Sequence, residues 1–188
     1  MISRKEALEI LHSNMQNQNL RRHCYAASAA MRALAKRLGG DEEKWGIVGL
    51  LHDGDYEKTH DAPEKHTMVM HQWLKKAGET DKEILGAILS HNYAHTNQDP
   101  PANDLEWALY CCDDLTGFIV AVTLVKPDKK LASVTPESIM KKWDKKDFAA
   151  GVHREQIEKC DDKLGIPLEE FIEIVLKAMQ AKAGDLGL

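Results

Sequence analysis

The sequence has no apolar run approaching the roughly 20 residues that a membrane-spanning helix needs. Its opening, MISRKEALEI, is charged and has no apolar core, so no secretory signal and no membrane association are expected. No CxxC pair is present among the four cysteines, Cys24, Cys111, Cys112 and Cys160. They read as reduced thiols acting as small apolar residues in a reducing compartment, and a cytoplasmic location is expected. Basic charge is not in excess either: 25 Lys and Arg stand against 30 Asp and Glu, a formal charge of −5. That excludes a broad electrostatic footprint for an extended nucleic acid and leaves room for a local pocket that takes a small phosphate. Internal repeats, low-complexity tracts and long linkers are also missing. With 188 residues, 43% hydrophobic and 29% charged, the chain reads as one globular domain spanning 1–188.

What is present is helical punctuation. Ser3 and Glu6 make a capping-box pattern ahead of Ala7, Leu11 and Met15. Leu20, Cys24, Ala27, Met31, Leu34 and Leu38 recur at steps of four and three, which predicts a helix from about 19 to 38, stopped by Gly39-Gly40. Asp41 caps a third helix through GIVGLLH. The turn-rich stretch DGDYEKTHDAP (53–63) reads as loop, followed by a helix over about 64–76. Thr80 is the expected cap of the next helix, with Ile84, Ile88 and His91 on one face. NYAHTNQDPPAN reads as loop, and a long helix then runs from about Asp104 through VAVTLV. Thr135-Pro136 opens another. Helices are predicted near 153–164 and 168–181, the last with the stripe Leu168, Phe171, Ile172, Val175, Leu176 and Met179. The expectation is an all-α, single-domain helical bundle of eight or nine helices. Its core would lie at about 19–125, with helices 135–182 packed onto it.

The chemistry is sought where polar residues occupy positions the pattern reserves for apolar ones. His23 sits beside the apolar face of the second helix. His52 and Asp53 close an apolar helix, and His91 closes the Ile84–Ile88 face. ALYCCDDLTGFIVAV carries Asp113 and Asp114, of which one must face outward. A carboxylate buried there costs several kcal/mol or so unless it is paired or coordinates a metal. Imidazoles and carboxylates suit Mn, Fe, Co, Ni or Zn, and helices offering one or two each toward a common centre would make a metal site in a bundle core. Taken singly, each of these residues, like His66, His71 and His95, reads as structural.

Their order resembles the H…HD…D pattern of the HD superfamily. RRHCYAASAAMRALA carries the first histidine, GIVGLLHDGDYEKT the dipeptide, and ALYCCDDLTGFIVA the helical A-D-x-L segment with cysteine in place of alanine. KDFAAGVHREQ and LGIPLEEF also look like small stand-alone members. The resemblance implies an all-helical metal-dependent phosphohydrolase, with His23, His52, Asp53 and Asp113 holding one divalent ion. Asp113, not Asp114, is the donor that the alignment selects. His66 and His91 match the extra histidines of members with two metals, Asp53 then bridging. The implied substrate is a small phosphorylated compound, a nucleotide among them, attacked by a metal-activated water. Arg22 and Lys58 are phosphate-binding candidates, and Asp55 is a candidate general acid or base or a partner for a histidine N–H. The chain departs from the cyclic-dinucleotide branch: HDGDYEK is followed by no GYP triplet. It also has His91-Asn92 where many two-metal members have paired histidines. The alternatives implied by the same resemblance are a di-iron oxygenase and a non-catalytic nucleotide-sensing domain.

Overall fold

Helix ends fall where capping chemistry allows. The computed structural model describes residues 1–188. Its helices are α1 (Arg4–Asn14), α2 (Gln18–Leu38), α3 (Glu42–Leu51), α4 (Tyr56–Thr59), α5 (Met68–Lys76), α6 (Lys82–His91) and α7 (Tyr93–Thr96). There follow α8 (Asp104–Leu124), α9 (Pro136–Trp143), α10 (Arg154–Ile157), α11 (Lys159–Leu164), α12 (Leu168–Gln180) and α13 (Ala183–Leu186). There is no strand, so the all-α class holds. Nine helices have six residues or more, and four are single turns. Two of those turns, α4 and α7, lie in stretches that read as loop. The expected Ser3–Glu6 capping box and the Asp41 and Thr135 caps form, and Asn17 and Asn103 cap α2 and α8.

Three boundaries differ from expectation. The helix predicted over 64–76 begins only at Met68. Pro63–Lys65 makes a 3₁₀ turn instead, and Thr67, at φ +68°, breaks the helical path. The first turn of α5 is capped from elsewhere: the Asp55 carboxylate accepts from the Met70 N–H at 2.8 Å. Asp81, not Thr80, caps α6, accepting from the N–H groups of Glu83 and Ile84. The segment 153–164 is broken into α10 and α11 at Glu158.

α8 is the axis. Leu105, Ala108, Leu109, Cys112, Leu115, Phe118, Ile119 and Val122 are buried along it, against α2, α6, α10, α11 and α12. By length and composition it could cross a bilayer, contrary to the expectation that no segment approaches that. Glu106, Asp113 and Asp114 interrupt the apolar run along the sequence, and the helix is enclosed by its neighbours. α3 lies against α2 at close range because Gly49 has no side chain. A Cβ there would sit 2.7 Å from the carbonyl oxygen of Ala27 and 2.9 Å from Met31 Cγ. The apolar stripe of α12 buries Phe171, Ile172, Val175, Leu176 and Met179 against α2, α8 and α9. All four cysteines are buried and unpaired, as expected.

Candidate metal centre

α2, α3, α6 and α8 bring polar groups to one point beneath a cleft. His23 projects from α2. His52 ends α3, and Asp53 follows it. His91 is the last residue of α6, Asp113 lies midway along α8, and His66 stands in the bend before α5. Asp113 Oδ1 lies 2.9 Å from His23 Nε2 and 3.2 Å from His52 Nε2, and those two nitrogens are 3.1 Å apart. Asp53 faces both sides. Its Oδ2 is 3.5 Å from His23 Nε2 and 3.6 Å from His52 Nε2. Its Oδ1 is 3.2 Å from the Nε2 atoms of His66 and His91. His91 Nε2 is also 4.0 Å from Asp113 Oδ2, which ties the two halves together.

The outer nitrogens of three rings are held by groups that dictate the tautomer. His52 Nδ1 donates to the Gly49 carbonyl at 2.8 Å, since a carbonyl only accepts. His66 Nδ1 donates to Asp55 Oδ1 at 2.8 Å. The Thr116 hydroxyl spends its hydrogen on the Asp113 carbonyl at 2.8 Å, so its oxygen accepts from His23 Nδ1 at 3.2 Å. In the neutral ring each Nε2 therefore presents a lone pair inward, the arrangement in which backbone or carboxylate partners orient metal-binding histidines.

The donor set fits a divalent cation. Asp113 Oδ1 is buried and makes no hydrogen bond, although the Nε2 atoms of His23 and His52 lie within 3.2 Å. Atoms spaced 2.9–3.6 Å apart are the corners left around an ion whose bonds are about 2.0–2.2 Å. One donor atom each from His23, His52 and Asp113 lies within 4.8 Å of the others, and so does one each from His52, Asp53 and His91.

Without an ion, protons and carboxylates balance the site. Burial pulls the His23 pKa down, but Asp113 and Asp53 outweigh it and lift it to about 9. His66 likewise loses to burial and gains more from Asp53 and Asp55, also reaching about 9. Burial raises Asp53 and Asp113; the surrounding imidazoles overcome it and hold both well below the usual carboxylate range. Asp114 is different. Burial and neighbouring Asp113 push it up, and it pairs with His153 outside the cluster.

The candidates therefore separate. His23, His52, Asp53, His66, His91 and Asp113 come together. Asp55 is fully buried, with one oxygen on His66 and the other on Met70, so the acid–base role is corrected to the supporting one. Lys58 does not reach the cluster: α4 turns it toward Asn14 Oδ1, 2.8 Å away, over the Trp73 ring. Arg22 is exposed and packs against Gly187; it does not line the cleft itself but lines a neighbouring pocket of about 390 Å³ that shares His23 and Gly117 with it. Sequence reasoning missed Thr116, Tyr56 and His153 and read His95 as structural. Tyr56 sets its ring edge against His66 and lines the cleft with His95 and His153. The cleft holds about 340 Å³, and its lining contains no Lys or Arg. It meets a polar groove of about 660 Å³ along His66, Asn92 and His95.

A family model described as HD domain matches residues 20–148. Ribonuclease Y of Oleidesulfovibrio alaskensis is 31% identical over 101 residues, 54% of this chain and 18% of that protein. Ribonuclease Y of Nitratidesulfovibrio vulgaris is 33% identical over 101 residues, again 54% and 18%. Ribonuclease Y of Aliarcobacter butzleri is 33% identical over 97 residues, 52% and 18%. The chain spans less than a fifth of the length of these curated relatives. No solved structure matches.

Proposed function

The chain belongs to the HD-domain family, and from that premise we propose that it is a metal-dependent phosphohydrolase acting on a nucleotide or another small phosphate ester. The observation that carries the proposal is the buried, unsatisfied Asp113 Oδ1 among imidazoles whose outer nitrogens are pinned, so that their lone pairs face one point. His23, His52, Asp53 and Asp113 would hold a first divalent ion. His66 and His91 would hold a second, with Asp53 between the two. Such ions acidify a water and polarise a phosphoryl oxygen. The protein's own part is positional. Gly49, Thr116 and Asp55 keep the imidazoles in the required tautomer, and the enclosing helices keep bulk water from the buried side of the cluster.

Substrate charge meets no cation in the cleft itself, and Arg22 stands in the neighbouring pocket that shares His23. Neither the cleft nor the adjoining groove is lined by Lys or Arg, and the groove contributes Glu64 and Asp99. That favours a compact phosphate ester held by the metal centre over a long polyanion, which needs a basic track. The ribonuclease Y relatives add phosphodiesters to the candidates, so a short phosphodiester or a nucleoside monophosphate is the substrate class to screen. The buried, unpaired cysteines fit the reducing cytoplasm.

The test is elemental analysis of the wild type and His52→Ala purified together, followed by a phosphatase and phosphodiesterase screen under the metal found. One or two ions per chain, lost in the variant, together with hydrolysis, is the expected result. No ion bound even on reconstitution would overturn the reading. So would oxygen consumption coupled to turnover, which belongs to the di-iron alternative.

A further inference from the structure

Asp113 and Asp114 are consecutive on α8, so their side chains diverge by about 100° around the helix. Asp113 enters the metal cluster. Asp114 instead shares a stripe with Tyr110 and Gly117, four residues before and three after, and that stripe walls the cleft. Nothing within 4 Å would meet a Cβ at Gly117, so the wall is open there.

Asp114 grips His153 twice. Its Oδ2 accepts the His153 main-chain N–H at 3.1 Å and the ring Nδ1–H at 3.2 Å. That leaves Nε2 as the free nitrogen of a ring lining the cleft. His153 lies beyond the residues matched to the family model, on the stretch that enters α10. The stretch is clamped by the next residue. The Arg154 guanidinium donates to the carbonyls of Phe148 at 2.6 Å and Lys145 at 3.2 Å and lies over the Phe118 ring at 4.8 Å. Of the cleft's other histidines, His23, His66 and His91 face the metal positions, and the His95 ring has no hydrogen-bond partner to orient it. The lining contains no Lys or Arg, and the hydroxyls of its two tyrosines, Tyr56 and Tyr110, have no hydrogen-bond partner to aim them, so His153 is the one oriented proton carrier left over.

We propose that His153 is a catalytic residue that protonates the leaving oxygen, and that Asp114 is the positioning residue that aims it. The proposal rests on the hydrolase reading above. In the step, a water oxygen bonds to phosphorus as the bond from phosphorus to the leaving oxygen breaks. The electron pair of that bond goes to the leaving oxygen, which takes the Nε2 proton of the His153 imidazolium, whose other proton stays on Nδ1 against Asp114. The proton lost by the attacking water passes to solvent, and solvent returns one to His153, so the sum is ester plus water giving alcohol plus phosphate.

General-acid assistance matters most for a poor leaving group. The probes are p-nitrophenyl and phenyl esters, of phosphate and of methyl phosphate, on metal-loaded full-length protein. His153→Gln should keep the wild-type metal content. Its kcat should fall about 100-fold on the phenyl ester and less than about 10-fold on the p-nitrophenyl ester, whose anion leaves unaided. Asp114→Asn should show the same skew, smaller. Equal losses on both esters, no loss on either, or loss of metal from His153→Gln would overturn the proposal. A metal-loaded wild type that cleaves none of the esters would instead overturn the hydrolase reading beneath it.

Discussion

Replacing Asp55 with asparagine should disable His66 without touching any candidate metal donor. Asp55 is fully buried, with Oδ1 2.8 Å from His66 Nδ1 and Oδ2 2.8 Å from the Met70 N–H. A main-chain N–H can only donate, so the asparagine oxygen must turn to Met70. Its NH₂ then faces His66 Nδ1 and can only donate to it. The imidazole must give up its Nδ1 proton and carry one on Nε2, against Asp53 Oδ1 at 3.2 Å. A protonated Nε2 has no lone pair for a cation.

Loss of such an orienting partner weakens metal binding roughly 10–100-fold, or about 1.4–2.8 kcal/mol. Here the loss should fall on the half of the site formed by His66 and His91 and spare the half formed by His23, His52 and Asp113. The charge at the N-terminus of α5 goes too, which should destabilise the metal-free protein by about 1–2 kcal/mol. Calorimetric metal titration against a competing chelator measures the first effect and urea unfolding the second. Nitrogen NMR of the histidines reads the tautomer of His66 directly. Wild-type affinity and stoichiometry in Asp55→Asn, with the proton still on Nδ1, would refute the reasoning.

Asp113→Ala should abolish binding of the first ion, whereas Asp114→Asn should bind metal as the wild type does. Equal losses on elemental analysis would show that helix phase does not separate the two. Metal binding should release protons, about one for each ion that binds through His23 or His66 at pH 7, because both rings hold a proton up to about pH 9 in the metal-free site. Calorimetry in buffers of different ionisation enthalpy counts them, and no release would contradict the raised pKa values. The metal-free protein should itself respond to pH from both sides. The raised histidines stabilise it below their ordinary 6.5, and that contribution is lost as pH climbs through about 9. The depressed Asp53 and Asp113 stabilise it above the ordinary 3.8, and that contribution is lost on further acidification. Thermal melts with chelator present should therefore be highest between about pH 4 and 6.5; a maximum above pH 9 would reverse the assignment. Gly49→Ala should push α3 off α2, costing about 1–3 kcal/mol in urea unfolding and weakening metal binding, because Gly49 also holds His52 Nδ1. Unchanged values on both counts would contradict the close approach.

What could be read from the sequence follows from where polarity contradicts its neighbours. His23, His52, His91 and Asp113 interrupt apolar helix faces, so each announces an interaction that offsets its burial. Their order carried the family resemblance as well. The choice between Asp113 and Asp114 came from that resemblance, and the helix phase agrees: one enters the cluster and the other pairs with His153. Lys58 misled because its position soon after Asp53 says nothing about direction, and α4 turns it to Asn14. The supporting residues were hidden for a different reason. Asp55 meets partners 11 and 15 residues away and Asp114 meets one 39 away, across bends that no periodicity encodes. Thr67 takes a positive φ of +68° that no glycine or asparagine marks. Burial itself is the sharpest case. Asp113, conspicuous among apolar residues, keeps 24% of its side chain exposed, whereas Asp55, inconspicuous in a polar, turn-rich stretch, keeps none. A carboxylate in a polar segment raises no alarm in the sequence. The cost of burying it becomes visible only when the fold wraps α5 over it, and His66 and Met70 supply the two donors that make the burial tolerable.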